Sequence, residues 1–416
     1  MPAARASSRR SWIRRGTVFA ATGLLLMTTA PGASTAPEGR AGPAWTGSWT
    51  TGVTVASAGT GQTGFTDTTI RQVVHLSVGG SELRLRLSNV FGTSPLRIGA
   101  ATVAVQHAEG GSRVDEDTLR QVRFGGERMT TIPIGAEWVS DPIDLTVADG
   151  ANLTVSLHLP GPTGPLTQHR AAFATNWTTP GNETAAEGIG FTPLGTSWYL
   201  LDGVDVRTVS AGSAVFFGDS ITDGANTTVD RNYRYPDRVA ARVLAKPERA
   251  EYGVLNTGIG GARLLTDQGP AGQSAMARFD RDVSGQSGVR AVVLLLGIND
   301  IGGTRGAVAA EDLISVHRQF IARAKSLGLK VYGATLLPFE GAGYYTPEGE
   351  ADRQALNKFI RTSGEYDGVI DFDRATGDPA QPTRLNPAYD AGDHLHPNDA
   401  GMEAMAAVVP IDRLVR

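Results

Sequence analysis

The chain shows two different hydrophobic rhythms, one on each side of about residue 210. In the first part, Leu83, Leu85 and Leu87 alternate with polar residues, and residues 153–159 repeat this period of two. Such alternation is typical of strands with one buried face. Further strand-like segments cover residues 70–78, 96–106, 119–124, 142–147 and 171–176. With no convincing helix among them, the pattern predicts an all-β sandwich or jelly roll over residues 45–209.

The second part, residues 210–416, alternates short apolar runs with longer amphipathic stretches. The apolar runs cover residues 214–217, 254–255, 291–296, 331–334 and 369–372. The uninterrupted run 291–296 is typical of a strand buried on both faces. Helical spacing covers residues 237–245, 311–327, 352–363 and 397–408, with Gly328 suited to a C-cap and Pro397 to a first turn. We expect a parallel sheet between two layers of helices, an α/β/α domain.

Composition narrows the possible partners and chemistry. The 416 residues, 41% hydrophobic and 19% charged, are long enough for two cores. A net charge of -4 without a basic stripe argues against a nucleic-acid partner. Cysteine is absent, which excludes disulfides, thiol nucleophiles and Cys-based zinc sites.

The N-terminus resembles a bacterial export signal. Arg9, Arg10 and three further arginines precede an apolar run over residues 17–30, which is shorter than the ~20 residues that span a bilayer. We predict a signal peptide over residues 1–36, cleavage between Ala30 and Ala44, and a linker over residues 37–44. Residues 8–13 resemble a twin-arginine motif, and the general secretory route stays open. We expect a secreted, extracellular protein without stable membrane insertion after signal removal.

Four short motifs follow one another through the second part of the chain. They are Gly218-Asp219-Ser220-Ile221, the segment 256–261, Gly297-Ile298-Asn299-Asp300 and Asp393-His394-Leu395-His396. The first three follow successive predicted strands, and the fourth precedes the last helix. In open parallel sheets the ligand crevice lies outside the carboxyl ends of the strands. The motifs are therefore expected to meet in one crevice.

The first and last motifs carry the residue types of an activated nucleophile. A serine hydroxyl is a weak nucleophile unless a base takes its proton, and histidine suits that role near neutral pH. We predict Ser220 as the nucleophile, His396 as the base and Asp393 as the carboxylate that orients the imidazole. His394 is the competing base, but as the immediate neighbour of Asp393 it is expected to point elsewhere.

The middle motifs supply hydrogen-bond donors for a developing oxyanion. The backbone N–H groups of Ser220 and Gly261 and the side-chain amide of Asn299 are the predicted donors, with Gly260 as the alternative glycine. Glycine suits such a position because no Cβ blocks the approach of a substrate.

Other polar residues are interpreted as structural. Asp219 should support the Ser220 loop, and Asp223 and Asp300 should anchor loops in preference to binding calcium. The same structural interpretation applies to His75, His107, His158, His169 and His317.

Together the four motifs resemble those of the SGNH hydrolases, also called GDSL esterases and lipases. The family's four invariant residues correspond to Ser220, Gly261, Asn299 and His396, and the resemblance covers about residues 211–416. It implies a flavodoxin-like fold and ester hydrolysis through an acyl-serine intermediate, with no cofactor and no metal.

The resemblance leaves the substrate open. An export signal, a β domain and then an SGNH domain is an arrangement similar to that of some carbohydrate acetylesterases, including the rumen xylan-esterase type. We therefore favour an ester of a polysaccharide, such as acetylated xylan, with a lipase or lysophospholipase type or an acyltransferase as alternatives. Intact Ser220, Asn299 and His396 argue against a non-catalytic carbohydrate-binding protein. Aromatic residues that could stack on sugars or fill the core are Trp45, Trp49, Trp138, Trp177, Trp198 and Tyr199.

Overall fold

The computed structural model of the chain describes residues 42–246, 251–305 and 307–415. The predicted signal peptide, residues 1–36, lies outside the described residues, as does most of the linker and of the cleavage region. The domain boundaries proposed from the sequence stay predictions. None of the helices found within the described ranges is long and apolar enough to cross a membrane.

The N-terminal part is built from antiparallel strands. Their bounds are β1 Ala44–Thr50, β2 Thr68–His75, β3 Leu83–Ser88, β4 Leu96–Ile98, β5 Ala100–Val105, β6 Arg120–Gln121, β7 Thr130–Ile132, β8 Glu137–Val139, β9 Asn152–Leu159, β10 Gln168–His169, β11 Asn176–Pro180, β12 Thr192–Gly195, β13 Trp198–Tyr199 and β14 Leu201–Thr208. One sheet has the order β1-β14-β3-β8 and another β12-β11-β2-β9-β5-β6, while β10 pairs with β13 and β4 with β7. Leu85 of β3 and Val155 of β9 are fully buried in the same apolar cluster, so the two larger sheets share one core. The predicted strand-rich region is confirmed, and a jelly-roll connection stays a prediction.

Three predicted strands of this region were wrong in extent. The segment 96–106 breaks at Gly99, where a Cβ would lie 2.7 Å from His158 Nδ1. Residues 142–147 make only isolated bridges, at Ile143 and Val147. Residues 171–175 are not a strand, because Phe173 adopts a left-handed conformation with φ 46°. Two short helical turns, α1 Thr60–Thr63 and a 3₁₀ turn Glu116–Thr118, were not predicted.

The C-terminal part contains a five-stranded parallel sheet. Its strands are β15 Ser213–Gly218, β16 Gly253–Asn256, β17 Val289–Leu295, β18 Lys330–Ala334 and β19 Gly368–Ile370. Their order, β16-β15-β17-β18-β19, is the flavodoxin-like order 2-1-3-4-5. From β15 the chain continues to β16 on one side, and it then crosses to β17 on the other side of β15. Ligands bind at such switch points. Ser220 and Asn299 follow these two strands.

Helices surround this sheet. They are α2 Ser220–Asp223, α3 Tyr235–Leu244, α4 Ala275–Phe279, α5 Ile298–Thr304, α6 Ala310–Ser326, α7 Pro347–Thr362, α8 Phe372–Thr376 and α9 Asp399–Ala407, with a 3₁₀ turn Gly269–Ala271 and a π turn Asp280–Ser284. α3 packs on α9, and α6 packs on α7. Every residue of β15 is buried, as expected for a strand covered on both faces. The predicted parallel sheet with helices is confirmed.

The helix termini differ from the sequence prediction in detail. Pro397 lies before α9, and Asn398 caps the helix by accepting hydrogen bonds from the backbone N–H groups of Ala400 and Gly401. The run 369–372 ends as a strand at Ile370, because Asp371 caps α8. The helices α2, α4, α5 and α8 were missed because each spans two turns or fewer, too short for a helical period to show in the sequence.

The strand-rich part packs directly against the edge of the parallel sheet. The Gly47 N–H of β1 donates to the Ser287 carbonyl at 2.9 Å, and the Val254 N–H of β16 donates to Ser77 Oγ at 2.9 Å. Gly253 must be a glycine here, since a Cβ would collide with the Gly47 carbonyl oxygen. The strand-rich part and the parallel sheet with its helices thus belong, over the described residues, to one compact unit. This contact brings β10 close to the loops that follow β15 and β16.

Candidate active site

Ser220 lies at the carboxyl end of β15, where the chain turns into α2. The Asp219 side chain caps this short helix by accepting a hydrogen bond from the Ile221 N–H at 3.0 Å. Gly224 ends it in a left-handed conformation with φ 98°. The serine is thereby presented at the edge of the sheet, with its side chain partly exposed.

The imidazole of His396 reaches Ser220 from the loop before α9. Ser220 Oγ lies 2.8 Å from His396 Nε2, and His396 Nδ1 lies 2.6 Å from Asp393 Oδ2. Because Nδ1 faces a carboxylate, it carries the proton, which leaves the Nε2 lone pair for the serine hydroxyl. Ser220, His396 and Asp393, the three residues predicted from the sequence, are thus connected by hydrogen bonds.

The Asp393 carboxylate is held in its charged form. Burial opposes that charge, but hydrogen bonds from the ring and the backbone N–H of His396 outweigh it and keep the pKa of Asp393 below its usual range. Leu395 N–H and Asn226 Nδ2 also donate to this carboxylate, at 3.1 Å each. A fixed carboxylate in turn fixes the orientation of the imidazole.

His394 is directed to a different partner. Its Nδ1 lies 2.6 Å from Asp390 Oδ2, its backbone is left-handed with φ 59°, and its side chain is 55% exposed. A Cβ on Gly341 would lie 2.9 Å from the His394 ring. Residues 390–396 therefore hold two His–Asp pairs, and within the described residues only the His396 pair contacts Ser220.

Each of the three predicted oxyanion donors keeps a hydrogen that is not bonded within the described residues. Within the described ranges, neither the Ser220 N–H nor the Gly261 N–H has an acceptor in the protein. Asn299 Nδ2 donates one hydrogen to the Ala262 carbonyl at 3.1 Å, which leaves its second hydrogen. The Gly260 N–H is already used, since it donates to Asp223 Oδ2 at 2.9 Å. Of the two adjacent glycines, Gly261 is the one with a free donor.

The donor loop after β16 is anchored by Asp300. Its carboxylate accepts the backbone N–H groups of Leu264 and Leu265 at 2.9 and 3.0 Å. Burial raises the pKa of Asp300, against those two hydrogen bonds. Asp300 therefore anchors a loop, as the sequence predicted.

A buried arginine, Arg278, connects the ends of β15 and β16, the strands that precede Ser220 and Gly261. The sequence did not indicate this role. The fully buried Arg278 guanidinium donates to the Gly218 carbonyl at 2.9 Å and to the Thr257 carbonyl at 2.7 Å, and it pairs with Asp282 at 2.7 Å. Burial lowers the pKa of Arg278. Nothing in the sequence distinguishes Arg278 from the chain's other arginines, because its role depends on where two strands end.

Asp219 is buried completely beside the serine. Burial raises its pKa to about 7, although the hydrogen bond from Ile221 N–H opposes this shift. Its Oδ2 has no hydrogen-bond partner in the described part of the chain. Asp219 therefore acts on Ser220 through the helix cap that it forms.

The strand-rich part contributes His169 to this region. Its Nδ1 lies 2.7 Å from the Gly52 carbonyl and its Nε2 lies 2.9 Å from Asp223 Oδ1. Both ring nitrogens face oxygen acceptors, so both must donate and the ring is an imidazolium. Burial opposes that charge, but Asp223 outweighs burial and raises the pKa of His169, against a smaller effect of Arg234. His169 is one of the five histidines interpreted as structural from the sequence, and nothing in the sequence indicates this contact.

Replacing His169 with glutamine should destabilise the protein in a pH-dependent way. A raised folded-state pKa means that the ion pair stabilises fully below the ordinary histidine pKa of about 6.5, and that this stabilisation is lost as pH rises through the raised value. We expect a loss of about 3 kcal/mol in the free energy of unfolding at pH 6. Urea unfolding of both proteins between pH 6 and 9 measures it.

The control for this experiment is His107→Gln, since the His107 ring accepts only from the nearby Glu109 N–H. Its effect on the free energy of unfolding should be small. A constant difference between wild type and His169→Gln across the pH range would show that the ring is not charged in the folded protein.

Comparison with known proteins agrees with this geometry. Residues 216–404 match the GDSL-like lipase/acylhydrolase family. The matched segment is therefore a GDSL-like lipase/acylhydrolase domain, and the protein is a carboxylic ester hydrolase of the SGNH type. The strand-rich part precedes the matched residues.

Solved structures similar to this domain include two bacterial proteins. One is a variant of an acetyl xylan esterase from Geobacillus stearothermophilus, with 21% identity, a TM-score of 0.38, and coverage of 49% of this chain and 96% of that one. The other is a GDSL-like lipase from Bacteroides thetaiotaomicron, with 20% identity, a TM-score of 0.36, and coverage of 48% and 86%. No curated protein matches the chain.

Proposed function

We propose that this esterase works through Ser220, His396 and Asp393. His396 Nε2 takes the hydroxyl proton as Ser220 Oγ attacks the ester carbonyl carbon, and returns that proton to the departing alcohol. Water then attacks the acyl-serine with the same base, which frees the acid and restores the serine. The observation that carries the proposal is the 2.8 Å contact between Ser220 Oγ and His396 Nε2, residues 176 positions apart.

The tetrahedral intermediate would place its oxyanion against the donors of Ser220, Gly261 and Asn299. Donors already oriented before the reaction stabilise this charge without reorganisation, which is a large part of catalysis in acyl transfer. Hydrolysis of 4-nitrophenyl acetate, followed by product analysis in the presence of an alcohol acceptor, tests the proposal. Transfer of the acetyl group to the acceptor as the main reaction would favour an acyltransferase.

Replacing Asn299 with alanine should lower kcat by about 10²- to 10³-fold with little change in KM. The reason is that the Asn299 amide binds the substrate's carbonyl oxygen mainly when that oxygen carries negative charge. The substitution therefore removes stabilisation of the transition state and not of the bound substrate. Steady-state kinetics with 4-nitrophenyl acetate measures the split between kcat and KM. A change confined to KM would place Asn299 in substrate binding instead.

We further propose that the ester belongs to a polysaccharide, and an open cleft between the strand-rich part and residues 230–232 of the C-terminal part supports this. The cleft has a volume of about 450 Å³ and is lined by Trp177 together with polar side chains that include Asn152, Asp230 and Asn232. An aromatic ring beside amides and a carboxylate suits a sugar, which has both apolar faces and hydroxyl groups. Such a cleft is less suited to an acyl chain.

The other aromatic candidates do not support sugar binding. Trp49, Trp198 and Tyr199 are buried in the core of the strand-rich part. The Trp45 ring is covered by the guanidinium groups of Arg84 and Arg207, 4.6 and 4.9 Å from its centre. Trp177 is therefore the aromatic residue on which the polysaccharide proposal depends.

The polysaccharide proposal predicts a difference between polymer and small substrate. Trp177→Ala should reduce acetate release from acetylated xylan several-fold and leave hydrolysis of 4-nitrophenyl acetate unchanged. Trp138→Ala is the matched control, because Trp138 is half-buried in β8 and lies outside the cleft. Hydrolysis of lysophospholipid but not of acetylated xylan by the wild type would favour the lipid esterase.

We also propose that the protein is exported. The arginine-rich N-terminus followed by an apolar run supports this. Expression of the full chain in a bacterial host, with N-terminal sequencing of protein recovered from the medium, should find a new N-terminus between residues 31 and 44. Recovery of uncleaved protein from the cell interior alone would contradict export.

A further inference from the structure

We infer that two consecutive residues of the strand-rich part, His169 and Arg170, position the oxyanion donor of the catalytic domain. The inference rests on the proposed role of Gly261 as that donor. Both residues act on Gly260, the residue before the donor, Arg170 at its carbonyl and His169 through Asp223 at its N–H. The strand-rich part is then a component of the catalytic site.

Arg170 acts on the carbonyl side of Gly260. Its Nη2 donates to the Gly260 carbonyl oxygen at 3.3 Å. That carbonyl and the Gly261 N–H belong to the same peptide group. A positive donor on the oxygen polarises the amide, which makes its N–H a stronger hydrogen-bond donor. It also restrains rotation of the peptide plane, so the Gly261 N–H keeps its direction.

His169 acts on the amide side through Asp223. The Gly260 N–H donates to Asp223 Oδ2 at 2.9 Å, and Asp223 Oδ1 pairs with the His169 ring at 2.9 Å. Both His169 and Asp223 are buried, with side chains 3% and 4% exposed. The ring is fixed at its other nitrogen by the Gly52 carbonyl at 2.7 Å. This side of Gly260 is therefore held by an ion pair that joins the two parts of the chain.

The backbone that carries both residues is itself held in place. His169 pairs with Trp198 between β10 and β13. The Arg170 carbonyl accepts a hydrogen bond from Ser197 Oγ at 2.8 Å. The Arg170 side chain is exposed, but its backbone is held beside a paired strand. The position from which the guanidinium reaches Gly260 is therefore fixed.

Arg170 lies on the same face of Gly260 as the nucleophile. The position of a Cβ on Gly260 would be 3.8 Å from Arg170 Nη2 and 3.9 Å from Ser220 Cβ. A guanidinium on this face could alternatively bind an anionic group of the substrate. The hydrogen bond to Gly260 favours positioning, and binding of substrate charge is an outcome that the experiment distinguishes.

The experiment compares Arg170→Ala with wild type in the full chain, using the neutral ester 4-nitrophenyl acetate. We expect kcat to fall about tenfold, less than the loss on removing an oxyanion donor outright, with KM within about twofold. A trifluoromethyl ketone adds Ser220 Oγ to its carbonyl carbon and places an oxyanion in the same donor site. Its inhibition constant should rise by the same factor as kcat falls.

Arg123→Ala is the matched control. Arg123 is also an exposed arginine of the strand-rich part that donates to a backbone carbonyl, that of Gly126 at 2.8 Å, and none of its described contacts reaches the site. Its kcat and inhibition constant should equal those of wild type. Equal losses in both variants would trace the effect to general destabilisation and overturn the inference.

Two further outcomes would overturn it. One is unchanged kcat and unchanged inhibitor affinity in Arg170→Ala. The other is a loss confined to KM for the anionic ester mono-4-nitrophenyl succinate, which would make Arg170 a residue that binds substrate charge. Wild-type turnover that is lost in Ser220→Ala would show that the proposed function stands even when the Arg170 inference fails.

Discussion

Ser220→Ala should lower kcat for 4-nitrophenyl acetate by about 10⁶-fold, while the protein keeps its fold. The hydroxyl forms the acyl-enzyme bond, so its removal eliminates the covalent pathway and leaves only what the oxyanion donors and substrate binding contribute. Ser220 is partly exposed at the first position of α2, and its Oγ contacts His396. Loss of this hydroxyl removes no core packing, so the melting temperature should change little.

A covalent probe separates loss of the nucleophile from loss of the fold. A fluorophosphonate should add one adduct to the wild type, at the peptide that contains Ser220, and none to the variant. Ser326→Ala is the matched control, since Ser326 is exposed at the end of α6 and bonds only the Arg323 carbonyl. Full activity of Ser220→Ala, or an adduct on another serine that accompanies activity, would refute the assignment.

His396→Gln should cause a loss of similar size, about 10⁶-fold in kcat, because a serine without its base remains protonated at the moment of attack. The same loop provides an unusually close control. His394 and His396 each place Nδ1 2.6 Å from an aspartate oxygen, of Asp390 and Asp393 respectively. Only the His396 ring contacts Ser220 Oγ.

His394→Gln should therefore retain nearly all activity, and the two variants should differ by several orders of magnitude under identical conditions. Steady-state kinetics with 4-nitrophenyl acetate, together with circular dichroism to check the fold, measures this difference. An inactive His394→Gln beside an active His396→Gln would exchange the two assignments. Equal and modest losses would exclude both rings as the base.

The arrangement of the catalytic domain could be predicted from the sequence because segments that follow successive parallel strands lie at the same edge of the sheet. The motifs at Ser220, Gly261 and Asn299 each follow a strand, and parallel strands end at the same edge. The choice of His396 over His394 also followed from local geometry, since Asp393 is three residues from one and adjacent to the other. Such short-range relations are visible without coordinates.

The strand-rich part was harder to predict in detail. Alternation located β3 and β9, but segments such as 142–147 have suitable apolar residues and yet form only isolated bridges. Whether such a segment becomes a strand depends on a partner with free backbone groups, and that partner is distant in sequence. The fate of the aromatic residues depends likewise on what packs over them, as Trp198 and Trp177 show.

The sequence by itself predicted a strand-rich part followed by a parallel sheet with helices, both of which the structure contains, and it supplied the proposed nucleophile, base and oxyanion donors. The spacing of hydrophobic residues indicates locally whether a segment forms a strand or a helix. The type of a residue indicates which chemical step it can perform, and this can be read without coordinates. The tertiary structure decided which of two adjacent glycines keeps a free N–H, because Asp223 occupies the amide of Gly260. It also brought Arg278, His169 and Arg170 to the site, since each acts through contacts with chain segments that only folding places beside it.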